Sequence, residues 1–317
     1  MKSCFFGLGY DFDGGVDPGV AINENGLVLE VHKNEGGWSL YARTGNLEDA
    51  TIAWNDTGSN RGSYTSGSEP ACAMNRYGDI VEVHKREVGD KLYAMYGKAS
   101  GTSITWGDSN DYDGDGHLPA VALNDSGRCV SVFQKNTNQV RYCVGSIDTG
   151  DEEVNFEDPH DLATGTTPKV AMDNAANVIA VWNVSGEMRY CVGKVDSDGE
   201  TIAWGTILTP PPKFGLKPSV ALTNSGYVIL VYNSAGINQS MYTGTLNASA
   251  KTVAWDEEGA APQMRYYDDG LDPVVAAAGN MAVEIHQGEG LPRLWYSTSI
   301  ITDRANWMHD RLNQLGS

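Results

Sequence analysis

Residues 67–84 read GSEPACAMNRYGDIVEVH, and this stretch recurs with variations along the whole chain. It holds a glycine, a proline three positions later and an alanine three positions after that, here Gly67, Pro70 and Ala73. The proline recurs at intervals of 49 to 55 residues, at Pro18, Pro70, Pro119, Pro168, Pro218 and Pro273. Every copy keeps the glycine and the alanine in phase, and an aromatic residue marks the end of each unit. The chain is therefore six copies of one supersecondary unit.

Each unit divides into four short stretches, which we name strands a to d in chain order. Strand a is the run that starts at the proline, as in Pro119–Asn124, and Asn75–Gly78 shows the tight turn that follows it. Strand b alternates polar and apolar residues, as in Ile80–His84; strand c carries the Leu92–Tyr93 pair, and strand d is typified by Thr51–Trp54. Four short strands per repeat, with no helical period between them, predict an all-β fold in which each unit is one blade of a propeller.

Propeller geometry accounts for the invariant small residues. Strand a lines a crowded central channel that accepts only alanine-sized side chains, while the large aromatics of strand d fill the wider space between blades. A proline at the first position of strand a costs no ladder hydrogen bond. We expect one domain over residues 1–317, with repeats at approximately 12–60, 61–110, 111–160, 161–209, 210–262 and 263–310.

The first residues predict how the ring closes. Phe6–Gly7 followed by Tyr10–Gly15 matches Trp106–Gly107 followed by Tyr112–Gly116, so the chain opens with an extra copy of strand d. A leading strand that completes the last blade joins the two ends of the ring and hides two sheet edges. Trp307 competes for the same place, so the closing strand comes either from residues 2–7 or from residues 300–307.

Composition and charge exclude several classes of partner. The chain of 317 residues has a formal net charge of −19, from 41 acidic and 22 basic side chains, with no basic run. Nucleic acids and anionic membrane surfaces need clustered lysine and arginine, so neither is an expected partner. No stretch approaches eighteen consecutive apolar residues, which argues against membrane insertion.

The cysteines and the first residues bear on localisation. Five cysteines are an odd number, and none are spaced as a zinc or redox motif. We interpret them as buried thiols that act as small apolar side chains. Residues 1–10 lack the apolar core and cleavage site of a signal peptide. Both features favour a cytoplasmic location or a non-classical export route.

Strand b predicts where a functional site lies. The d-to-a and b-to-c loops open on one face of a propeller, and the short hairpins open on the other. At the end of strand b, units six, one and two carry the same pair, Glu284–His286, Glu30–His32 and Glu82–His84. A spacing of two places both members of a pair on the same side of the strand. Units three, four and five carry Phe133, Trp182 and Tyr232 instead of histidine, so the ring divides into an acidic, imidazole-bearing arc and an aromatic arc.

This combination is typical of sugar sites. An aromatic ring stacks on the apolar face of a sugar, while carboxylates and imidazoles bond to its hydroxyls. The candidate ligand-binding residues are Glu30, His32, Trp38, Glu82, His84, Trp182, Glu284, His286 and Trp295. Repeated sites would combine weak contacts into avidity. Two alternatives remain open: the Glu-x-His pairs form an inter-blade hydrogen-bond network, and Phe133, Trp182 and Tyr232 are blade-packing residues.

Metal binding is a further alternative. Asp111, Asp113 and Asp115 begin a D-x-D-x-D-G pattern, the first half of a calcium loop. Position twelve is Ala122 rather than glutamate, and no helices flank the loop, so the pattern is not an EF-hand. An acidic turn or a looser calcium site remains, as does a transition-metal site formed by the three histidines at the channel mouth. We otherwise expect no cofactor.

The repeat resembles the propeller repeats of about fifty residues in bacterial proteins that are often attached to toxins and secreted enzymes. The resemblance covers nearly the whole chain; residues 67–115 reproduce the pattern most fully, whereas units three to five depart from it at the glutamate and histidine. It implies a lectin-like, non-enzymatic module that binds glycans or glycoconjugates, and it identifies no sugar. One alternative is a glycoside hydrolase or sialidase-like propeller, although no catalytic residues are assigned. The other is a protein-interaction platform with a protein partner.

Overall fold

A computed structural model describes residues 2–7, 9–55, 62–211, 213–256, 265–290 and 292–303. The described residues form six antiparallel blade sheets, one for each sequence repeat and each with four strands in its main path, and a separate two-stranded ladder. Each strand a contacts the strand a of the next sheet, and the last contacts the first. The six-bladed β-propeller predicted from the repeat is confirmed. None of the described residues forms a helix long and apolar enough to cross a membrane.

Within each blade the strands follow one another from the axis outward. Strand a, at the axis, is β3 (Val16–Ile22), β8 (Ser68–Met74), β12 (Gly116–Leu123), β17 (Thr166–Met172), β21 (Leu216–Leu222) and β26 (Leu271–Ala278). Strand b is β4 (Leu27–Lys33), β9 (Asp79–Lys85), β13 (Arg128–Lys135), β18 (Asn177–Val184), β22 (Tyr227–Ala235) and β27 (Met281–Gln287). Strand c is β5 (Ser39–Glu48), β10 (Leu92–Ser100), β14 (Gln139–Asp148), β19 (Glu187–Val195), β23 (Asn238–Asn247) and β28 (Arg293–Ile300).

The outer edge of a blade is made in two parts. Strand d is β6 (Thr51–Trp54), β11 (Ser103–Asp113), β15 (Glu153–Phe156), β20 (Ile202–Trp204) and β24 (Thr252–Trp255). Blades one, three and five add a second outer segment that pairs with the other end of strand c, namely β7 (Ser63–Ser66), β16 (His160–Thr164) and β25 (Arg265–Asp269). In blade two the long β11 covers both parts.

The first residues of the chain close the ring. Strand β2 (Tyr10–Gly14) pairs with β28 of blade six and takes the place that β7 has in blade one. A short ladder joins β1 (Lys2–Ser3) to β29 (Thr302–Asp303). The N-terminal part of the chain therefore completes the last blade, as the match to strand d predicts, but the strand that does so is residues 10–14 and not residues 2–7. The competing residue, Trp307, lies outside the described residues.

The sequence predicts that the proline is the first residue of strand a, and this prediction is wrong. Strand β3 begins two residues earlier, and its pairing with β4 skips from Val16 to Gly19, so Pro18 lies in a β-bulge. All six blades have a register shift at this point. A bulge tolerates proline because its residues are not paired in the ladder, so no acceptor on the neighbouring strand needs the N–H that proline lacks.

Aromatic side chains pack between neighbouring blades, as expected for strand d. The ring of Trp204 in blade four meets Tyr142 of blade three edge to face, with centroids 5.5 Å apart. Trp54 of blade one meets Tyr296 of blade six in the same geometry at 5.7 Å. Each such pair belongs to a buried cluster shared by two blades, so the hydrophobic core is divided among the blade interfaces.

A chain of hydrogen bonds runs around the hairpin face of the propeller. The backbone N–H of Arg76 donates to Asp125 Oδ1 at 3.0 Å, that of Asp125 to Asn174 Oδ1 at 2.9 Å, and that of Asn174 to Asn224 Oδ1 at 2.8 Å. Each donor lies one blade before its acceptor. These bonds tie four blades together through their a-to-b turns, which gives this face a structural role.

Candidate functional site

The three Glu-x-His pairs lie inside the propeller. All three glutamates are fully buried, and the histidines are at most 5 % exposed. In each pair the imidazole Nδ1 faces the carboxylate at hydrogen-bond distance: His32–Glu30 at 3.0 Å, His84–Glu82 at 2.9 Å and His286–Glu284 at 3.1 Å. The alternation along strand b thus places both members together, as predicted, but inside the blade interface.

In each pair the carboxylate raises the pKa of the neighbouring imidazole. Burial disfavours the imidazolium of His84, but the adjoining Glu82 carboxylate outweighs that effect and raises the pKa of the histidine. The same balance raises the pKa of His32 and of His286. Burial raises the pKa of the Glu30 carboxyl, against the opposing influence of its histidine. A glutamate held in this way is directed at its histidine, not at solvent.

The side chains on the outer strand of one blade are chemically complementary to those they contact on strand b of the next blade. Tyr64 Oη in blade one donates to Glu82 Oε1 in blade two at 2.9 Å. Tyr112 in blade two lies 3.0 Å from the hydroxyl of Ser131 in blade three. Between blades three and four both positions are apolar, since Leu162 packs against the cluster that contains Ala180. Glu82 therefore takes part in an inter-blade hydrogen bond, which supports for this pair one of the two interpretations left open by the sequence.

The aromatic arc consists of packing residues. Phe133, Trp182 and Tyr232 are 0 %, 1 % and 0 % exposed. The prediction that Trp182 offers a stacking platform is therefore corrected, because its indole is enclosed in the cluster between blades three and four. A Cβ placed on Gly165 would lie 2.2 Å from the Trp182 ring, so the repeated glycine is what makes room for this side chain.

Blades six and one leave a cleft of about 270 Å³ between them, on the face predicted to be functional. It is lined by Asp13, Gly14, His32, Asn34, Tyr41, Ala42 and Arg43. The Tyr41 and His32 rings stack across β4 and β5, with centroids 5.6 Å apart and planes within 10°. The cleft therefore combines an aromatic ring with a carboxylate, an imidazole, an amide and a guanidinium.

Arg43 fixes the deep side of this cleft. Its guanidinium donates through Nη1 to the backbone oxygen of Phe12 at 2.7 Å and to Asp13 Oδ2 at 3.2 Å. The same group lies over the rings of Phe12 and Trp54, 5.7 and 5.3 Å from their centroids. A buried guanidinium with these contacts has a fixed direction, which is the condition for reading a ligand's oxygen atoms.

Two of the predicted aromatic platforms are accessible, but they lie apart from the cleft lining. Trp38, in the b-to-c loop of blade one, is 45 % exposed and has Lys33 Nζ 5.5 Å from its ring centroid. Trp295 is half-buried and pairs across the strands with His286 in blade six. Both rings remain candidates for contact with a ligand.

The aspartates of the proposed calcium loop are directed at different cations. Lys91 Nζ lies 2.7 Å from Asp111, Arg141 Nη1 lies 3.4 Å from Asp113, and Lys135 Nζ lies 3.5 Å from Asp115. Across the parts of the chain that the structure describes, no three histidine, cysteine, aspartate or glutamate side chains gather as metal ligands.

Sequence reasoning missed four residues of the cleft: Asp13, Asn34, Tyr41 and Arg43. A signal for Arg43 was present, since units two, three and four have Met95, Cys143 and Cys191 at that position of strand c. A single charged residue in an otherwise uncharged column of the repeat marks one blade as different. Asn34 lies in a b-to-c loop whose length varies between repeats, and Asp13 lies on the ring-closing strand β2, so neither position has the signal that marks Arg43.

Comparison with known proteins shows the fold. No protein-family model matches the chain, and a search of curated proteins found no match. A protein of unknown function from Dyadobacter fermentans is 12 % identical with a TM-score of 0.61, over 95 % of this chain and 98 % of that one. The fucose-specific lectin from Aleuria aurantia is 10 % identical with a TM-score of 0.57, over 91 % and 97 %. The Hadza microbial sialidase Hz136 is 10 % identical with a TM-score of 0.61, over 92 % and 68 %.

Proposed function

We propose that this propeller is a non-enzymatic, carbohydrate-binding module whose principal site is the cleft between blades six and one. The observation that carries the proposal is the set of groups that line the cleft: Tyr41, Asp13, Asn34 and Arg43 beside the buried His32. The fold is shared with a fucose-specific lectin and with a sialidase, two proteins named for sugars, which is consistent with this proposal.

The chemistry of the lining suits one sugar ring. The exposed face of Tyr41 takes the apolar side of a pyranose, and its other face is fixed by the stack on His32. Sugar hydroxyls both donate and accept, so they pair with the carboxylate of Asp13 and with the amide of Asn34. A cleft of about 270 Å³ lies just under the lower end of the roughly 300–1,000 Å³ range for drug-sized ligands, which favours a single terminal sugar over a buried oligosaccharide.

The carboxylates favour binding over hydrolysis. Glycosidases of the usual type place two carboxyl groups on either side of the scissile bond. Among the described residues that line the cleft, Asp13 alone carries a carboxylate, and it is paired with Arg43. Glu30 lies beneath, fully buried and directed at His32.

The arginines of strand c also argue against a sialidase-type clamp. Such a clamp needs several guanidinium groups that converge on one substrate carboxylate. Arg141 pairs with Asp113 and with Asp161, whereas Arg189 pairs with Glu187 of its own strand. These guanidinium groups are engaged in blades two to four, and neither lines the cleft between blades six and one.

A glycan array followed by calorimetry tests the proposal. The purified chain should bind at least one class of terminal sugar, and Tyr41→Ala should remove that binding. Tyr93→Ala is the matched control, because Tyr93 stacks on His84 in blade two at 5.8 Å as Tyr41 stacks on His32 in blade one. An array with no bound glycan, or equal affinity in wild type and Tyr41→Ala, would contradict the proposal.

A further inference from the structure

A second cavity lies on the axis of the propeller, separate from the cleft between blades six and one. It encloses about 200 Å³ at the start of the six strands a, and its wall includes all six aligned prolines together with Leu118 and Val274. Charged side chains project into this mostly apolar wall from several blades. They are Asp17, Glu69, Lys169, Lys217 and Asp272.

The bulge in strand a places four of these side chains directly before a proline, whereas Lys169 directly follows Pro168. The residue before each proline has a positive φ between 49° and 56°, in Asp17, Glu69, Leu118, Thr167, Lys217 and Asp272. Residues other than glycine seldom adopt this conformation, and a bulge redirects the side chain that carries it. The same backbone geometry therefore presents six side chains of five kinds in one ring around the axis.

Three of the charged groups already have partners. Lys217 forms an ion pair with Asp272 of the next blade. Glu69 Oε2 accepts a 2.6 Å hydrogen bond from the backbone N–H of Leu118. The charges of Lys217 and Asp272 compensate each other, and the Glu69 carboxylate has a backbone donor.

Asp17 and Lys169 are different. Within the described part of the chain, neither side chain forms a hydrogen bond or an ion pair with another residue. They belong to blades one and four, which are opposite each other in a ring of six. Each influences the ionisation of the other across the cavity, but they do not meet.

Burial makes these two charges costly. It raises the pKa of Asp17, with Lys33 the largest opposing influence. It lowers the pKa of Lys169, against the pull of Asp272, Asp17 and Glu69. Half-buried charges of opposite sign on facing walls are stabilised by a ligand that brings the complementary charges.

We propose that the axial cavity binds a small zwitterion, a molecule that carries both an amine and a carboxylate, such as a free amino acid. The carboxylate accepts hydrogen bonds from Lys169 Nζ, and the ammonium donates to Asp17. The proline rings contact the aliphatic body of the ligand. The volume of about 200 Å³ limits the ligand to metabolite size, below that of a drug-like molecule.

Isothermal titration calorimetry with the whole chain tests this site. The probes are glycine, alanine, valine, proline, phenylalanine and γ-aminobutyrate. The first controls are the N-acetyl and the amide derivatives of the same amino acids, each of which lacks one of the two charges. Sodium acetate and calcium chloride test a carboxylate and a cation alone. We expect one-site binding of at least one zwitterion and at least tenfold weaker binding of its N-acetyl and amide forms. Absence of binding by all six zwitterions, or equal binding of a singly charged derivative, would overturn the proposal.

Variants locate the site. Asp17→Asn and Lys169→Met should each weaken binding of the zwitterion at least tenfold, while Asp108→Asn and Lys194→Met, which change exposed charges elsewhere, should leave it unchanged. Tyr41→Ala should also leave it unchanged, because that residue lines the other cleft. Binding that persists in both Asp17→Asn and Lys169→Met would place the ligand elsewhere and refute the assignment. The comparison with charge-deleted ligands uses the wild-type chain and does not depend on how a variant folds.

Discussion

Tyr64, on the outer strand of blade one, donates a 2.9 Å hydrogen bond to the carboxylate of Glu82, which is fully buried in blade two. The same carboxylate faces His84 Nδ1 at 2.9 Å. One glutamate thus joins two blades and orients an imidazole. This relationship gives the buried Glu82 carboxylate two hydrogen-bond partners at the interface between blades one and two.

Removing the tyrosine hydroxyl should therefore destabilise the ring. In Tyr64→Phe the buried carboxylate loses a donor, and hydrogen bonds to charged groups contribute about 1.5–3 kcal/mol. Tyr112→Phe is the matched control, because its hydroxyl meets the neutral Ser131 and should cost about 0.5–1.5 kcal/mol. Urea unfolding measures both free energies of unfolding. Equal losses in the two variants would show that Glu82 is not held by Tyr64.

The repeated glycine predicts a large packing effect. In Gly165→Ala the new methyl group would lie 2.2 Å from the Trp182 ring and 2.7 Å from the backbone oxygen of Asn183. Overpacking of this kind costs about 1–3 kcal/mol or more. Gly114→Ala is the control, since its Cβ would meet no atom within 4 Å. A loss in Gly165→Ala no greater than that in Gly114→Ala, measured by urea unfolding, would contradict the packing role given to Trp182.

The buried pairs predict a pH dependence with a definite sign. Because Glu82 raises the pKa of His84 above its ordinary value of 6.5, the folded protein binds this proton more tightly than the unfolded chain. The resulting stability is fully present below about pH 6.5 and is lost as the pH rises through the folded-state pKa. Glu82→Gln removes the charge responsible. The stability difference between wild type and Glu82→Gln, from urea unfolding between pH 5.5 and 9, should therefore shrink as the pH increases.

NMR titration of His84 provides the direct check on that prediction. Its ring signals should titrate above pH 6.5 in the wild type and at a lower pH in Glu82→Gln. A wild-type midpoint at or below 6.5, or a stability difference that grows with pH, would refute the charge coupling.

The thiols should be unreactive in the folded protein. All five cysteines are buried and none of them forms a disulfide, and burial raises the pKa of Cys72 and of Cys143. Since the thiolate is the reactive form, a thiol reagent such as 5,5′-dithiobis(2-nitrobenzoic acid) should react slowly with the native chain. It should release five equivalents once the chain is unfolded in guanidinium chloride. Prompt reaction in the native state would mean that the blade interfaces open readily.

Much of the fold could be predicted from the sequence because the repeat carries it. The glycine, proline and alanine that recur in every unit, as at Gly67, Pro70 and Ala73, predict six blades. The match of Tyr10–Gly15 to a strand d predicts the closure that β2 makes. The predicted start of strand a was wrong by two or three residues, since nothing in the motif distinguishes the first residue of a strand from a bulge.

The candidate site could be predicted only in part. A spacing of two residues indicates that Glu30 and His32 share one side of a strand, but it does not say whether that side faces solvent or a neighbouring blade. Burial of these side chains depends on the adjacent blade. Trp182 fits because Gly165 has no side chain, and Glu82 can be buried because Tyr64 donates a hydrogen bond to it. Arg43 occurs in one blade alone, so the regularity that reveals the fold does not reveal the cleft.

The central claim is that a sugar binds between blades six and one, and a crystal structure of the chain with the best ligand from a glycan array tests it most directly. The account predicts a sugar ring stacked on Tyr41, with hydroxyls within hydrogen-bond distance of Asp13 and Arg43. A sugar bound at Trp38 or at another blade, with the cleft empty, would contradict it.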